Sequence, residues 1–315
     1  MNKPKLLHIA LGKHNKGLWR SFEKYFETIH YDWTEKKDDP HSINSDVLEL
    51  HKSFKPKVIF MQLQKDNVIS PQTAHKLSKT SFTVNWTGDV RTPVPTWFVA
   101  LGKEIDMTLF SNVFDVRVLR ELGIPSDYLQ VGFDPDEFHP FRTKKSYGRI
   151  IFTGSNYAIK NNFPLSNYRI DMVKCLTLTY GSDFRVYGTN WKKITGYDDV
   201  FLDRVQEATA YSNSDISINL SHFDYERYSS DRMLRLMGSG GFCLTHDFKG
   251  IEKDFIINEH IVTWSNLDDL KNKIDYYWRN QYERELIRAN GCKFVRENCT
   301  WDKRMLELKT IIGLK

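Results

Sequence analysis

The chain reads as an α/β protein built from two doubly wound parallel sheets. Three observations predict this. Apolar strand-like runs alternate strictly with amphipathic helical stretches. The alternation stops once, at a polar segment bounded by prolines, and then starts again. The length of 315 residues suits two domains of ordinary size.

In the first half, KLLHIAL (5–11) is an apolar strand. KGLWRSFEKYFETI (16–29) follows as a helix, with Leu18, Phe22, Tyr25, Phe26 and Ile29 on one face. KVIFMQL (57–63) is a buried strand introduced by Pro56. SPQTAHKLSK starts a helix with Ser70 as N-cap and Pro71 at the first helical position. SFTVNWTGD (81–89) is a strand running into a loop at Gly88 and Asp89. VPTWFVALGKE is helical, DMTLFS a strand, NVFDVRVLRELG a helix closed by Gly123, and DYLQVGF (127–133) the last strand of this half. DPDEFHPFRTKKSYG (134–148) carries the break and is expected to link the domains.

The second half repeats the scheme. RIIFTGSN (149–156) is a strand and loop. NYRIDMVKCLTLTYG is a helix with Ile170, Val173, Leu176 and Tyr180 in register. DFRVYGTN, then the helix FLDRVQEATAYSNS, then the strand DISINLSH follow. A short helix from about Arg232 to Met237, preceded by the good N-cap residues Ser229, Ser230 and Asp231, turns through Gly238, Gly240 and Gly241 into FCLTH. HIVTW is a further strand. Asn266 caps LDDLKNKIDYYWRN, with Asp268 and Asp269 in the first turn, and two helices close the chain. Ligands of such sheets bind outside the carboxyl ends of the strands, so two facing domains would present them across one cleft.

Composition narrows the class. The chain is 40% apolar, 14% aromatic and 27% charged, which supports sizeable cores and argues against disorder. The formal charge of +5 has the sign expected for anionic ligands, but alone does not argue nucleic-acid binding. The start, MNKPKLLHIALGKHN, reads as a first strand rather than a signal peptide. No window approaches the roughly 18 apolar residues of a membrane span. The four cysteines show no C-x-x-C spacing, so reduced thiols in a cytoplasm are expected.

The residues that suggest chemistry sit at expected strand ends. Arg232 and Arg235 open the short second-half helix, where partial positive charge already makes cations unfavourable. An anion would reverse that: helix N–H groups and guanidinium forks would both aim at phosphate oxygens. Solvated surface arginines are the competing reading. FTGSN offers the backbone of Gly154, Ser155 and Asn156 to a phosphate or sugar. VYGTNW places Tyr187, Gly188 and Asn190 at a neighbouring strand end, and INLSH places Asn219, Ser221 and His222 at another. In the first half, GKHNKG is not a phosphate-binding P-loop, yet Gly12, His14 and Asn15 would face the same side. Asp89 could orient or deprotonate an acceptor hydroxyl, beside Arg91; a loop aspartate capping the next helix is the alternative. His8, inside an apolar strand, reads as a packed core histidine.

The ordered string SSDRMLRLMGSGGFCLTHDFKGIE, followed by a strand, two helices and the terminal TWDKR, resembles the carboxy-terminal domain of GT-B glycosyltransferases. It is most similar to the bacterial and phage group related to spore-maturation glycosyltransferases. VGFDPDEFHP resembles that family's linker. The resemblance implies the GT-B fold, with two facing Rossmann-like domains. Residues 1–140 would form the acceptor domain and 147–299 the donor domain, with a final helix over 300–315 packing back on the first.

The resemblance also implies a transferase that moves a sugar from a nucleotide diphosphate sugar, most plausibly a UDP-sugar, with retention and without a metal or other cofactor. Arg232 and Arg235 would stabilise the leaving diphosphate, with Asp89 on the acceptor hydroxyl. Donor contacts would come from Gly154, Ser155, Asn156, Tyr187, Gly188, Asn190, Asn219, Ser230, Asp231, Gly240 and Glu252. Gly12, His14, Asn15 and Arg91 would lie on the acceptor side. The acceptor is left open among a surface glycan, a protein and a hydroxymethylated base in phage DNA. The alternative is a non-catalytic nucleotide- or sugar-binding protein, and the oligomeric state is left open. One departure stands out: the family's ribose-binding glutamate falls at Arg235 or Leu234, so by resemblance Glu252 becomes a candidate for the ribose. The D-x-D of Asp134–Asp136 lies in the linker and is not read as a metal site.

Overall fold

The structure is a computed structural model that describes residues 3–12, 15–141, 143, 146–158 and 163–314. The chain divides into two compact units, Met1–Gly132 with Trp301–Lys315, and Phe133–Thr300.

The first unit contains β1 (Lys5–Ala10), α1 (Lys16–Tyr25), β2 (Glu27–Asp32), α2 (Pro40–Phe54), β3 (Val58–Met61), α3 (Pro71–Ser78), β4 (Phe82–Thr87), α4 (Thr96–Gly102), β5 (Met107–Phe110), α5 (Val113–Glu121) and β6 (Ser126–Tyr128). Its six strands pair in the order β2-β1-β3-β4-β5-β6, and every pairing is parallel. The winding direction reverses between β1 and β3.

The expected first helix is shorter than its apolar pattern. It stops at Tyr25, and ETIHYD becomes β2, in register with β1 from Lys5↔Glu27 to Ala10↔Asp32. β-Branched and aromatic residues suit a strand, and the exposed ladder of β1 offers them backbone partners. The helix α2 also goes beyond the expectations. Asp39 caps it with Pro40 in its first turn, and Ile43 and Val47 are buried. The last strand runs only from Ser126 to Tyr128, and Gly132 beyond it lies against Trp301 at the start of the closing helix.

The second unit contains β7 (Ile150–Thr153), α6 (Ser166–Tyr180), β8 (Phe184–Tyr187), the one-turn α7 (Lys192–Thr195), α8 (Arg204–Asn213), β9 (Ile216–Asn219), α9 (Asp231–Gly238), β10 (Cys243–His246), β11 (Val262–Trp264), α10 (Leu267–Arg279) and α11 (Gln281–Asn298). Its sheet runs β11-β10-β9-β7-β8, again parallel, and reverses between β7 and β9. Asn266 caps α10 as its sequence implies, accepting from the N–H groups of Asp268 and Asp269. The core is one cluster that includes Phe152, Met172, Ile218, Leu244 and Trp264.

The helix α12 (Trp301–Ile311) packs on α1 of the first unit, where Ser21 Oγ donates to Asp302 at 2.7 Å. The proline-bounded segment is no free tether. Phe133 packs against Gly238 and Phe138 is buried, so the unit boundary falls at Gly132 rather than near residue 140. Asp134 is buried there, and its carboxylate accepts from the N–H of Asp136 in a turn. No helix among the described residues is long and apolar enough to cross a membrane.

Candidate functional site

Open parallel sheets bind ligands at the carboxyl edge where the winding reverses. In the second unit that place lies between the ends of β7 and β9, and two guanidinium groups converge on it. Arg232, in the first turn of α9, donates from Nη1 to the Thr153 carbonyl at 2.9 Å. It also donates from Nη2 to the Leu220 carbonyl at 3.2 Å and from Nε to Asn219 Oδ1 at 3.3 Å. Arg169, in the first turn of α6, donates from Nη1 to the same Leu220 carbonyl at 2.7 Å and from Nη2 to the Ser155 carbonyl at 3.3 Å. Both lie near the Phe152 ring, at 5.0 Å for Arg169 and 5.6 Å for Arg232.

Neutral carbonyls and an amide hold these two cations in place. Among the described residues no carboxylate comes within ion-pair range of either. Arg169 is 1% exposed. Burial, and next the Arg232 charge beside it, push its guanidinium well below its usual range. His222 follows β9 at the same edge. Burial first, then Arg169 and Arg232, bring its imidazole down to about 3, so it is neutral at physiological pH. Its Nδ1 is buried without a partner. Like charges held together at low dielectric cost free energy, and a bound anion would remove that cost.

Gly154 is what lets the guanidinium groups approach. Its φ of +144° suits glycine, and a Cβ there would collide with Arg232 and lie 2.8 Å from Nη2 of Arg169. Gly188 makes the next close approach, because a Cβ on it would meet the Gly154 carbonyl carbon at 2.6 Å. The loops after β7 and β8 are thereby zipped together. Asn156 N–H donates to the Thr189 carbonyl, Thr189 N–H to Ser155 Oγ, and Trp191 Nε1 to the Gly154 carbonyl at 2.7 Å. The side chains of Asn156 and Asn190 each donate to the other's carbonyl, so both brace the edge. Tyr187 Oη donates to the Tyr147 carbonyl at 2.6 Å, and burial raises its phenol to about 12.

Four residues expected at this site lie elsewhere or apart. Arg235, one turn beyond Arg232, sits between Glu207 at 3.4 Å and Asp231 at 3.5 Å, against the Phe138 ring. Burial opposes its charge, but those two carboxylates outweigh burial and hold its pKa up. It is a neutralised cation facing α8 and does not join the Arg169–Arg232 pair. Asp231, exposed, serves that same ion pair. Gly240 has a φ of +72° at the far end of α9, before β10 begins, and so lies at the amino edge of the sheet. Glu252 is exposed on the turn Ile251–Lys253. That turn is tied to the loop after β9 by Arg227, which grips Asp254 at 2.6 and 3.0 Å. Ser230 stays at the edge, its hydroxyl accepting from Arg232 Nη2 at 3.4 Å.

Sequence reasoning missed Arg169, although a signal existed. Residues 169, 173, 176 and 180 share one helical stripe, and an arginine on an otherwise apolar stripe needs a reason. Glu207 and Tyr211 were missed as well. Tyr211 Oη hydrogen-bonds Glu207 at 2.8 Å and also Thr153 Oγ1, which braces the end of β7 from behind.

In the first unit, Asp89 and Arg91 follow β4. Asp89 is exposed, 3.9 Å from Arg91 Nη2, and does not cap α4, whose N-cap is Pro95. Gly12 N–H donates to Asp32 Oδ1 at 3.1 Å, and Asn15 caps α1 through the Leu18 N–H. His14 lies outside the described residues. His8 is the core histidine expected, bonded to His30 and Gln62 and held down to about 3, chiefly by burial.

The comparisons with known proteins bear on the fold. The chain is similar across nearly its whole length to solved two-domain structures. Sucrose-phosphate synthase from Thermosynechococcus elongatus matches at a TM-score of 0.70 and 10% identity, covering 99% of this chain and 98% of that one. A glycosyltransferase from Rickettsia africae matches at 0.69 and 13%, with the same coverage. Anabaena HepE, solved with UDP-glucose, matches at 0.68 and 9%, covering 98% and 99%. At these identities the likeness shows the fold: GT-B, two Rossmann-like parallel-sheet domains. Residues 169–310 match the family model described as glycosyl transferase-like. Fold and matched domain together define the class, a glycosyltransferase of GT-B architecture. No protein of curated function matches the sequence.

Proposed function

We propose that this chain transfers a sugar from a UDP-sugar to an acceptor hydroxyl, and that Arg169 and Arg232 hold the donor's diphosphate. One observation carries the reading: two guanidinium groups without a carboxylate converge at the reversal point of the second sheet, around a glycine that keeps the space between them open. As the glycosidic bond breaks, negative charge grows on the diphosphate. Donors fixed in advance stabilise that charge by several kcal/mol without reorganising. Arg232 is the catalytic residue of this scheme and Arg169 its partner. Glu207, Tyr211 and Arg235 are positioning residues that fix the end of β7 and the angle of α9. Asp89 would orient the acceptor hydroxyl.

Retention of anomeric configuration rests on the resemblance of the ordered carboxy-terminal motifs. Metal independence rests on the two arginines, which supply the positive charge that a divalent cation would otherwise bring. The acceptor would be a hydroxyl of a glycan or a protein.

The test is a thermal-shift screen with UDP, GDP, ADP, CDP and TDP, followed by turnover of the matching nucleotide sugars with and without EDTA. UDP should stabilise the chain most, by mass action, and free UDP should appear in an EDTA-insensitive reaction. Stabilisation by none of the five would overturn the donor assignment. Binding of UDP without release from any UDP-sugar would make the chain a binding protein instead.

A further inference from the structure

The first unit holds another cation whose partners are too weak for its burial. Gln64, Thr87, Asp89 and Arg91 gather at the carboxyl ends of β3 and β4. We propose that this cluster binds an oxyanion carried by the acceptor, a phosphate or carboxylate group, with the Arg91 guanidinium as its main contact. Only the word acceptor rests on the reading above; the anion site stands on the first unit alone.

Long contacts surround the Arg91 guanidinium. The Arg91 side chain is 14% exposed, and its Nε is buried without a partner. Nη1 reaches the Gln64 carbonyl only at 3.5 Å and Nη2 reaches Thr87 Oγ1 at 3.3 Å. The Gln64 amide and the Thr87 hydroxyl face each other at 3.4 and 3.5 Å. The nearest carboxylate, Asp89, is 3.9 Å away and 72% exposed, so water screens it. Each contact sits at the weak end of hydrogen bonding. Two other guanidinium groups hold a carboxylate closely. Arg227 grips Asp254 at 2.6 and 3.0 Å, and Arg304 meets Glu307 at 2.6 Å.

Arg91 is nonetheless well anchored at its backbone. Its N–H donates at 2.8 Å to the fully buried Asp115, and Phe98 lies 5.8 Å from the guanidinium. A tight base and a loose, half-shielded fork describe a group built for a partner that comes and goes. Burial pushes the Arg91 guanidinium down, against the pull of Asp89 and then Asp115, so an arriving oxyanion would meet a poorly solvated cation. The planar fork matches phosphate and carboxylate alike. Asp89 can accept from a neighbouring hydroxyl; its own charge opposes an arriving anion, but at 72% exposure water screens that repulsion.

The test follows the Nε–H resonance of Arg91 by NMR, assigned by its loss in Arg91→Lys. The full chain is titrated with inorganic phosphate, acetate, glucose 6-phosphate and glucose. Saturable shifts with phosphate and glucose 6-phosphate, and none with glucose at equal concentration, are expected. The acetate arm tells whether carboxylates serve as well as phosphates. Arg91→Gln should weaken phosphate binding at least about tenfold, the scale of one charged contact, while UDP binding stays at the wild-type level. If Arg91→Gln fails to fold, Arg91→Lys keeps the charge, loses the fork, and should still weaken phosphate binding measured by calorimetry. An unmoved Arg91 resonance with both anions, an equal shift with glucose, or unchanged phosphate affinity in a folded Arg91→Gln protein overturns the proposal. UDP titration of the same samples reports on the donor edge separately, so the two readings fail independently.

Discussion

Arg232 and Arg235 stand three residues apart on the same short helix, and they have opposite fates. Arg232 turns to the carboxyl edge, where backbone carbonyls and an amide hold it and no carboxylate among the described residues pairs with it. Arg235 turns to α8, where Glu207 and Asp231 neutralise it. A step of three residues leaves the two side chains only about 60° apart around the helix axis, but carries Arg235 about 4.5 Å along it, away from the carboxyl edge. The lesson is that a guanidinium's partners, rather than its sequence neighbourhood, say whether it is built for the fold or for a ligand.

That contrast can be broken by mutation. The largest effect is expected at Arg232. Arg232→Ala should cut turnover at least about a hundredfold, the scale of losing one charge-stabilising donor, with a circular dichroism spectrum and unfolding midpoint close to those of the parent. Near-normal activity in the folded variant would end its catalytic assignment.

Arg235→Ala should do the reverse. Removing one partner of a largely buried ion pair costs about 3 kcal/mol or more, and it leaves Glu207 with the Tyr211 hydroxyl in place of a cation. Urea unfolding should show the loss, while UDP affinity of the folded protein moves far less than in Arg232→Ala. A large drop in UDP affinity with unchanged stability would place Arg235 at the ligand after all.

Gly154→Ala lies between these two. The added methyl is strained at a φ of +144° and intrudes on both guanidinium groups. Destabilisation of about 1–3 kcal/mol together with loss of UDP binding is the expected pair of results, read by calorimetry and thermal melting.

The smallest effect is a pH slope. His222 is held at about 3 in the native protein, from an ordinary value of 6.5. As pH falls from 6.5 toward 3, the unfolded chain takes up a proton that native His222 refuses, so stability falls with pH across that window. His8 behaves the same way in the first unit. His222→Asn should flatten the stability slope in that window by about one proton's worth and leave the contribution of His8 in place. An unchanged slope would mean His222 is solvated in solution.

How much of the site was legible in the sequence depended on what kind of signal each residue carried. Gly154, Gly188 and Arg232 could be named from the sequence, because a glycine-bearing loop at a strand end can offer its backbone to a ligand and a cation at a helix start asks for an anion. Arg169 was hidden by its helix: the apolar stripe announces a core, and the eye passes over the one charge on it. Gly240 was expected among the donor contacts, yet it closes α9 before β10 begins, at the amino edge of the sheet. The strand β2 was hidden by a helical pattern that runs on past Tyr25, where pairing with β1 outweighs helix periodicity.

Local chemistry along the chain determined the alternation of strands and helices, most caps and the core residues. Those follow from hydrophobic period and capping, which act over a few neighbouring positions. Only the tertiary structure decided which cations remain without a counter-charge. That depends on distances between side chains far apart in sequence: Arg169 and Arg232 share the Leu220 carbonyl, and Glu207 reaches Arg235 instead. Coulomb energies fall off over a few ångströms, and no pattern within one helix records them.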